Sequence, residues 1–82
     1  MMAKNSVGVE RFPKEGTQAG RTVVDIEAGT TVEGAIEQAK VHWDADNFEV
    51  EVNGVKASLN DAVRNGDEIT IILNKQAGNY LA

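Results

Sequence analysis

Only one segment of the chain repeats its apolar residues with a helical period, and that limits what the rest can build. In TTVEGAIEQAKVHW, Val32, Ala35, Ile36, Ala39 and Trp43 fall at i, i+3, i+4, i+7 and i+11, one stripe of an amphipathic helix. Thr30 followed by Glu33 predicts a capping box at its start, and Asp44-Ala45-Asp46-Asn47 predicts its end. Gly34 costs about 1 kcal/mol against alanine in a helix, which predicts close packing of that position against a sheet. A lone stripe cannot bury itself. It needs a sheet face to lie on, so the flanking segments must supply one.

They carry the right pattern. Val7 and Val9 alternate in residues 6–12 before Pro13 and Gly16 break the run. Residues 21–26 follow, with Val24 and Ile26 on one face and Val23 and Asp25 on the other. The two read as a hairpin whose connection, residues 13–20, is longer than usual. Beyond the helix, Phe48, Val50 and Val52 alternate with Glu49 and Glu51, a strand with one wet face. Asn53-Gly54 is the dipeptide of a type I′ turn, where both central residues need positive φ. Val55-Lys56-Ala57 predicts a short edge strand, and Leu59 and Val63 are spaced to plug the core from a loop. Asp61 is placed to cap one helical turn over residues 61–64. Asn65-Gly66 then turns the chain into a last strand, residues 68–73, with Ile69, Ile71 and Leu73 inward and Thr70 and Ile72 outward. The tail NKQAGNYLA has no periodicity, which predicts mobility over residues 74–82.

Strand, strand, helix, strand, short strand, strand is an α+β order. The pieces share one sheet only if the last strand lies beside the first. The expectation is a single domain over residues 1–82: a mixed four- to five-stranded sheet with one helix packed across it. An 82-residue chain buries roughly 60–65% of the surface its unfolded form exposes, so the core must be economical. Without cysteine, disulfides, thiolate metal sites and cysteine nucleophiles are excluded. The N-terminal MMAKNSVGV has no apolar signal-peptide core, and no run approaches the roughly 20 apolar residues of a membrane helix, so the expected compartment is the cytoplasm and no membrane partner is expected. Thirteen acidic against eight basic residues leave a net charge of −5, which repels phosphate backbones and favours a basic-surfaced partner.

This order resembles the β-grasp, or ubiquitin-like, arrangement. Val50-Glu51-Val52-Asn53-Gly54, then Leu59, then Asn65-Gly66-Asp67-Glu68-Ile69 running on to Leu73, resemble the sulfur-carrier branch: the small thiamine-biosynthesis and molybdopterin-synthase carrier proteins. Members that carry sulfur end in Gly-Gly, because the terminal carboxylate must be adenylated, converted to a thiocarboxylate and threaded through a narrow partner channel. This chain departs from that rule, with Ala77-Gly78 where the carriers place their glycines and Asn79-Tyr80-Leu81-Ala82 after them. The resemblance therefore implies one of two things. The chain is a β-grasp interaction module outside conjugation chemistry, or it is a sulfur-carrier or modifier precursor cut after Gly78 and activated by an adenylating enzyme. The RNA-associated β-grasp domains are a third class, disfavoured by the acidic charge and by the lack of a basic stripe with interleaved aromatics.

The residues point to no catalysis. His42 is the only histidine, and with Asp44 and Asp46 it makes a solvated helix end rather than a metal site. Ser6 and Ser58 have no local base, and Gly29, Gly54 and Gly66 lack phosphate-loop spacing. No metal, no cofactor and no enzymatic activity are expected. Trp43, closing the stripe, is expected in the core beside Phe48. Glu33, Glu37, Asp44, Asp46, Glu49 and Glu51 are candidates for a surface that meets a basic partner. Val23 and Ile72, with Gly8 on the strand between them, are candidates for an open sheet face that binds another protein. The expected function is that of a monomeric, non-catalytic protein-interaction module that binds no nucleic acid.

Overall fold

The computed structural model describes residues 5–12 and 21–73; the connection 13–20 and the tail 74–82, with Ala77 and Gly78, lie outside the described residues. The elements are β1 (Asn5–Phe12), β2 (Arg21–Ile26), α1 (Val32–Ala39), β3 (Phe48–Val52), β4 (Val55–Lys56) and β5 (Glu68–Leu73). They form one five-stranded sheet in the order β2-β1-β5-β3-β4. The first and last strands lie side by side in parallel, with Val9 opposite Ile69, and the other pairings are antiparallel.

Alternation sends one set of side chains to a single face. Val7, Val9, Ile26, Phe48, Val50, Ile69 and Ile71 are buried there against Val32, Ala35 and Ile36 of α1. Each such side chain removed from water contributes about 1.5–3 kcal/mol. Packing therefore holds the helix, since eight residues are too few for a helix to be stable alone. No polar or charged side chain is buried among the described residues.

The helix differs from the sequence expectation at both ends. Its cap is Thr31, not Thr30: the Thr31 hydroxyl accepts from the Gly34 N–H at 3.1 Å, while the Thr30 hydroxyl donates to the Glu27 carbonyl at 2.7 Å. The Val32 and Glu33 N–H groups donate to the carbonyls of Asp61 (2.8 Å) and Leu59 (3.1 Å). The plug loop thus takes the Glu33 N–H that the Thr30 hydroxyl was expected to accept, and the Thr30 N–H, expected to meet the Glu33 carboxylate, donates to the Glu27 carbonyl at 3.1 Å. A β-carbon at Gly34 would meet Thr30 Cγ2 at 3.3 Å and Thr31 Oγ1 at 3.5 Å, so its close neighbours are those threonines rather than the sheet. At the other end, Lys40 takes a left-handed conformation (φ 59°) and its N–H donates to the Glu37 carbonyl at 3.1 Å. The helix stops there. Trp43 lies beyond it in a non-helical segment, half-buried against the core and close to Phe48.

Nor do residues 61–64 form a helical turn. Asp61 instead closes the turn before it, accepting from the Ser58 N–H at 3.0 Å and donating its own N–H to the Ser58 carbonyl at 3.1 Å. Ala62 bridges to Thr31, and the Val63 N–H donates to the Thr30 carbonyl at 2.9 Å. Val63 is buried and Leu59 half-buried, so the loop does plug the core, held to the helix start by backbone bonds. The short edge strand ends at Lys56 rather than Ala57.

Candidate functional site

The sheet has two unlike ends. At the first, Asn53 (φ 55°) and Gly54 (φ 85°) make the expected I′ turn, and Gly66 (φ 89°) makes the turn before β5. Polar side chains knit these turns together. Asn53 Oδ1 accepts from the Glu68 N–H and Asn53 Nδ2 donates to Asp67 Oδ1, both at 3.0 Å. Asp67 Oδ2 accepts from the Arg64 N–H at 2.9 Å, and Asn65 Oδ1 accepts from the Ser6 N–H at 2.8 Å. The Gly66 N–H donates to the Ser6 carbonyl (2.7 Å) and the Gly8 N–H to the Asp67 carbonyl (3.0 Å). Every side chain of this clasp is spent on a neighbouring backbone or side-chain group, so it is architecture and offers a ligand little.

The face of the sheet away from α1 is read row by row from the register. Val23, Gly8 and Glu68 share one row. Arg21, Glu10, Thr70, Glu51 and Lys56 form the next. Phe12, Ile72 and Glu49 form a third, at the far end. Arg21 and Glu68 join across Gly8 in an exposed two-bond ion pair, its longer bond 3.0 Å. A β-carbon at Gly8 would lie 2.6 Å from both Arg21 Nη2 and Glu68 Oε1. Glycine is what lets the pair cross there. The hydrogen bond to Arg21, and next its charge, hold the Glu68 carboxyl below its ordinary value, while Glu68 raises the Arg21 guanidinium above its own.

Of the three residues expected to form one patch, Val23 and Gly8 are therefore cross-strand neighbours and Ile72 stands apart. Val23 is 56% exposed, Gly8 lies beneath the ion pair, and Ile72 sits four residues along β5 from Gly8's partner Glu68, about 13 Å at the rise of a strand. Ile72 is half-buried and is joined by Phe12, 46% exposed, which sequence reasoning passed over. The signal that could have found Phe12 was its place in the alternation of β1, two and four residues beyond Glu10 and Gly8 on the outward face.

The acidic candidates also divide. Glu33 and Glu37 are exposed on α1. Asp44 accepts from the Asn47 N–H at 3.0 Å and so serves its own turn, and Glu51 lies opposite Lys56. Asp46 and Glu49 line a cavity with Trp43. The His42 carbonyl accepts from Arg11 Nε at 2.7 Å, and the Arg11 guanidinium stands 5.0 Å from the centre of the Phe48 ring, so this side chain ties the segment after the helix to the sheet. Among the described residues no group of three or more His, Cys, Asp or Glu side chains is placed to hold a metal ion, and no helix is long and apolar enough to cross a membrane.

Two crystal structures of small archaeal modifier protein 1 from Haloferax volcanii are similar to the chain. One matches at TM-score 0.72 and 24% identity, covering 84% of this chain and 94% of that one. The other matches at TM-score 0.68 and 21% identity, covering 85% and 98%. A ubiquitin from Caldiarchaeum subterraneum matches at TM-score 0.57 and 12% identity, covering 88% and 95%. The chain has the ubiquitin-like β-grasp fold. No family model matches it, and no curated protein matches it in sequence. At these identities the likeness lies in the β-grasp itself: one helix gripped by a sheet whose first and last strands are central neighbours.

Proposed function

We propose that the domain is a non-catalytic ubiquitin-like module of the cytoplasm that binds another protein through the Phe12–Ile72 end of its open sheet face. One observation supports this most. Phe12 is 46% exposed beside half-buried Ile72, on the face opposite α1, where no described element covers them. An apolar pair rimmed by Glu49 and Thr70 suits a partner that brings an apolar side chain together with a basic one. The test is affinity capture with the full chain and with Phe12→Ser plus Ile72→Thr, followed by titration of any captured protein in purified form. Binding that weakens at least tenfold with the circular dichroism spectrum unchanged supports the reading, whereas undiminished binding moves the interface elsewhere.

A second reading has its own support. The fold neighbours include proteins titled small archaeal modifier, and Ala77-Gly78 follows β5 by a few residues. On this reading the tail after Gly78 is removed and an adenylating enzyme activates the new carboxylate. Intact-mass measurement of the protein from its native cell tests it: a species ending at Gly78, or an adenylate or thiocarboxylate of it, supports precursor processing, and a persistent full-length C-terminus removes it.

A further inference from the structure

We propose a second binding site, separate from the Phe12–Ile72 face and beyond the reading above: the uncovered edge of β3 at Phe48–Val50, which takes an extended basic peptide segment as an added strand. The ladder shows why that edge is open. The Asn53 N–H donates to the Glu68 carbonyl at 2.8 Å, so Asn53, Glu51 and Glu49 turn their main-chain groups toward β5. Alternation turns those of Val52, Val50 and Phe48 the other way. β4 meets only Glu51 and Val52, and the Ala57 N–H then takes the Val50 carbonyl at 3.0 Å before the chain departs into the plug loop. The Val50 N–H and both main-chain groups of Phe48 therefore face outward, with no main-chain partner among the described residues. Such a row is a template for another strand.

A cavity of about 330 Å³ runs along this same edge. Trp43 and Leu59 give it an apolar wall, and the acidic residues Asp46 and Glu49 stand along it. Its one basic side chain, Lys56, lies opposite Glu51 in the ladder. The space suits one or two side chains rather than a whole small-molecule ligand. Its chemistry selects the occupant. An acidic rim and the aromatic Trp43 favour a lysine or arginine that stacks on Trp43 while its neighbour's backbone completes the ladder, and an acidic peptide or a phosphate would meet repulsion.

The experiment uses the full chain, whose single tryptophan reports on this cavity, and a capped peptide alternating valine with lysine and arginine. Titration is expected to shift Trp43 emission and to slow hydrogen exchange at the Phe48 and Val50 amides at least threefold. Replacing the peptide's basic residues with glutamate, N-methylating its alternate amides, or Asp46→Asn is expected to weaken binding at least threefold each. Phe12→Ser, which tests the other face, is expected to leave it unchanged. The proposal is overturned if the N-methylated peptide binds as well, if the glutamate peptide binds as well, or if the perturbed amides are those of Phe12 and Ile72. That last result would support the sheet-face reading while removing this one.

Discussion

The end of the sheet at Ser6, Asn53 and Asp67 and the end at Phe12, Phe48 and Ile72 belong to one sheet, yet they solve opposite problems. At the first, short amide and carboxylate side chains answer backbone donors at 2.8–3.0 Å, and the turns become one hydrogen-bonded clasp. At the second, β4 has already stopped, Phe12 stands half in water, and Arg11 reaches from β1 to hold the segment after the helix by the His42 carbonyl. The turns Asn53-Gly54 and Asn65-Gly66, which carry much of the resemblance to a known family, lie at the closed end. The candidate binding surfaces lie at the open one.

That contrast can be broken by mutation, the largest effect first. Asn53→Ala removes two side-chain hydrogen bonds and leaves alanine in a left-handed turn position; urea denaturation is expected to show a loss of about 2–3 kcal/mol. A loss below about 0.5 kcal/mol would mean that the clasp is decoration. Arg11→Ala, the corresponding cut at the open end, removes the hydrogen bond to the His42 carbonyl and the cation–π contact with Phe48. It is expected to cost about 1–2 kcal/mol and to raise the acrylamide accessibility of Trp43; unchanged quenching would show that the segment holds itself.

Smaller still is Glu68→Gln, on the exposed ion pair between the two ends. Because Arg21 lowers the Glu68 pKa in the folded chain, the pair's stabilisation is fully present above the ordinary glutamate value of about 4.3 and is lost as pH falls through the lowered folded value. Wild type and variant should therefore differ slightly at pH 7 and converge in acid, and a difference that grows on acidification would reverse the assigned direction. The smallest effect on stability is expected from Phe12→Ser, within about 0.5 kcal/mol. A melt showing severe loss would place Phe12 in the core and remove it from the binding face.

Period-two patterns and turn dipeptides made the strands legible: Val7 with Val9, Ile69 with Ile71, and Asn53-Gly54, whose two positive φ values few residue pairs accept. The helix end was not legible. Trp43 fits the 3.6-residue stripe, yet Val41 and Trp43 are half-buried while His42 and Asp44 are exposed, so the same letters also fit an extended segment. What decides is the left-handed stop at Lys40, a residue type with no preference for it. Choosing between Thr30 and Thr31 as the cap depended on carbonyls from Asp61 and Leu59, which local pattern cannot see. The Phe12–Ile72 pair was hidden for a similar reason, because it exists only through the parallel register of β1 with β5. Gly8, Val23 and Ile72 were each read on the correct face, but the spacing between them belongs to that register, and Ala77 and Gly78 fall beyond the residues the structure describes.

The parallel pairing of β1 with β5 also governs how the molecule comes into being. The strand synthesised last is inserted at the centre of the sheet, flanked by segments from early and middle parts of the chain. A nascent chain that ends before Glu68 has two half-sheets and nothing to join them, so folding must wait for long-range closure and proceed slowly for so small a protein. Cleavage anywhere after Leu73 spares that keystone, whereas losing even part of β5 would dismantle both halves at once.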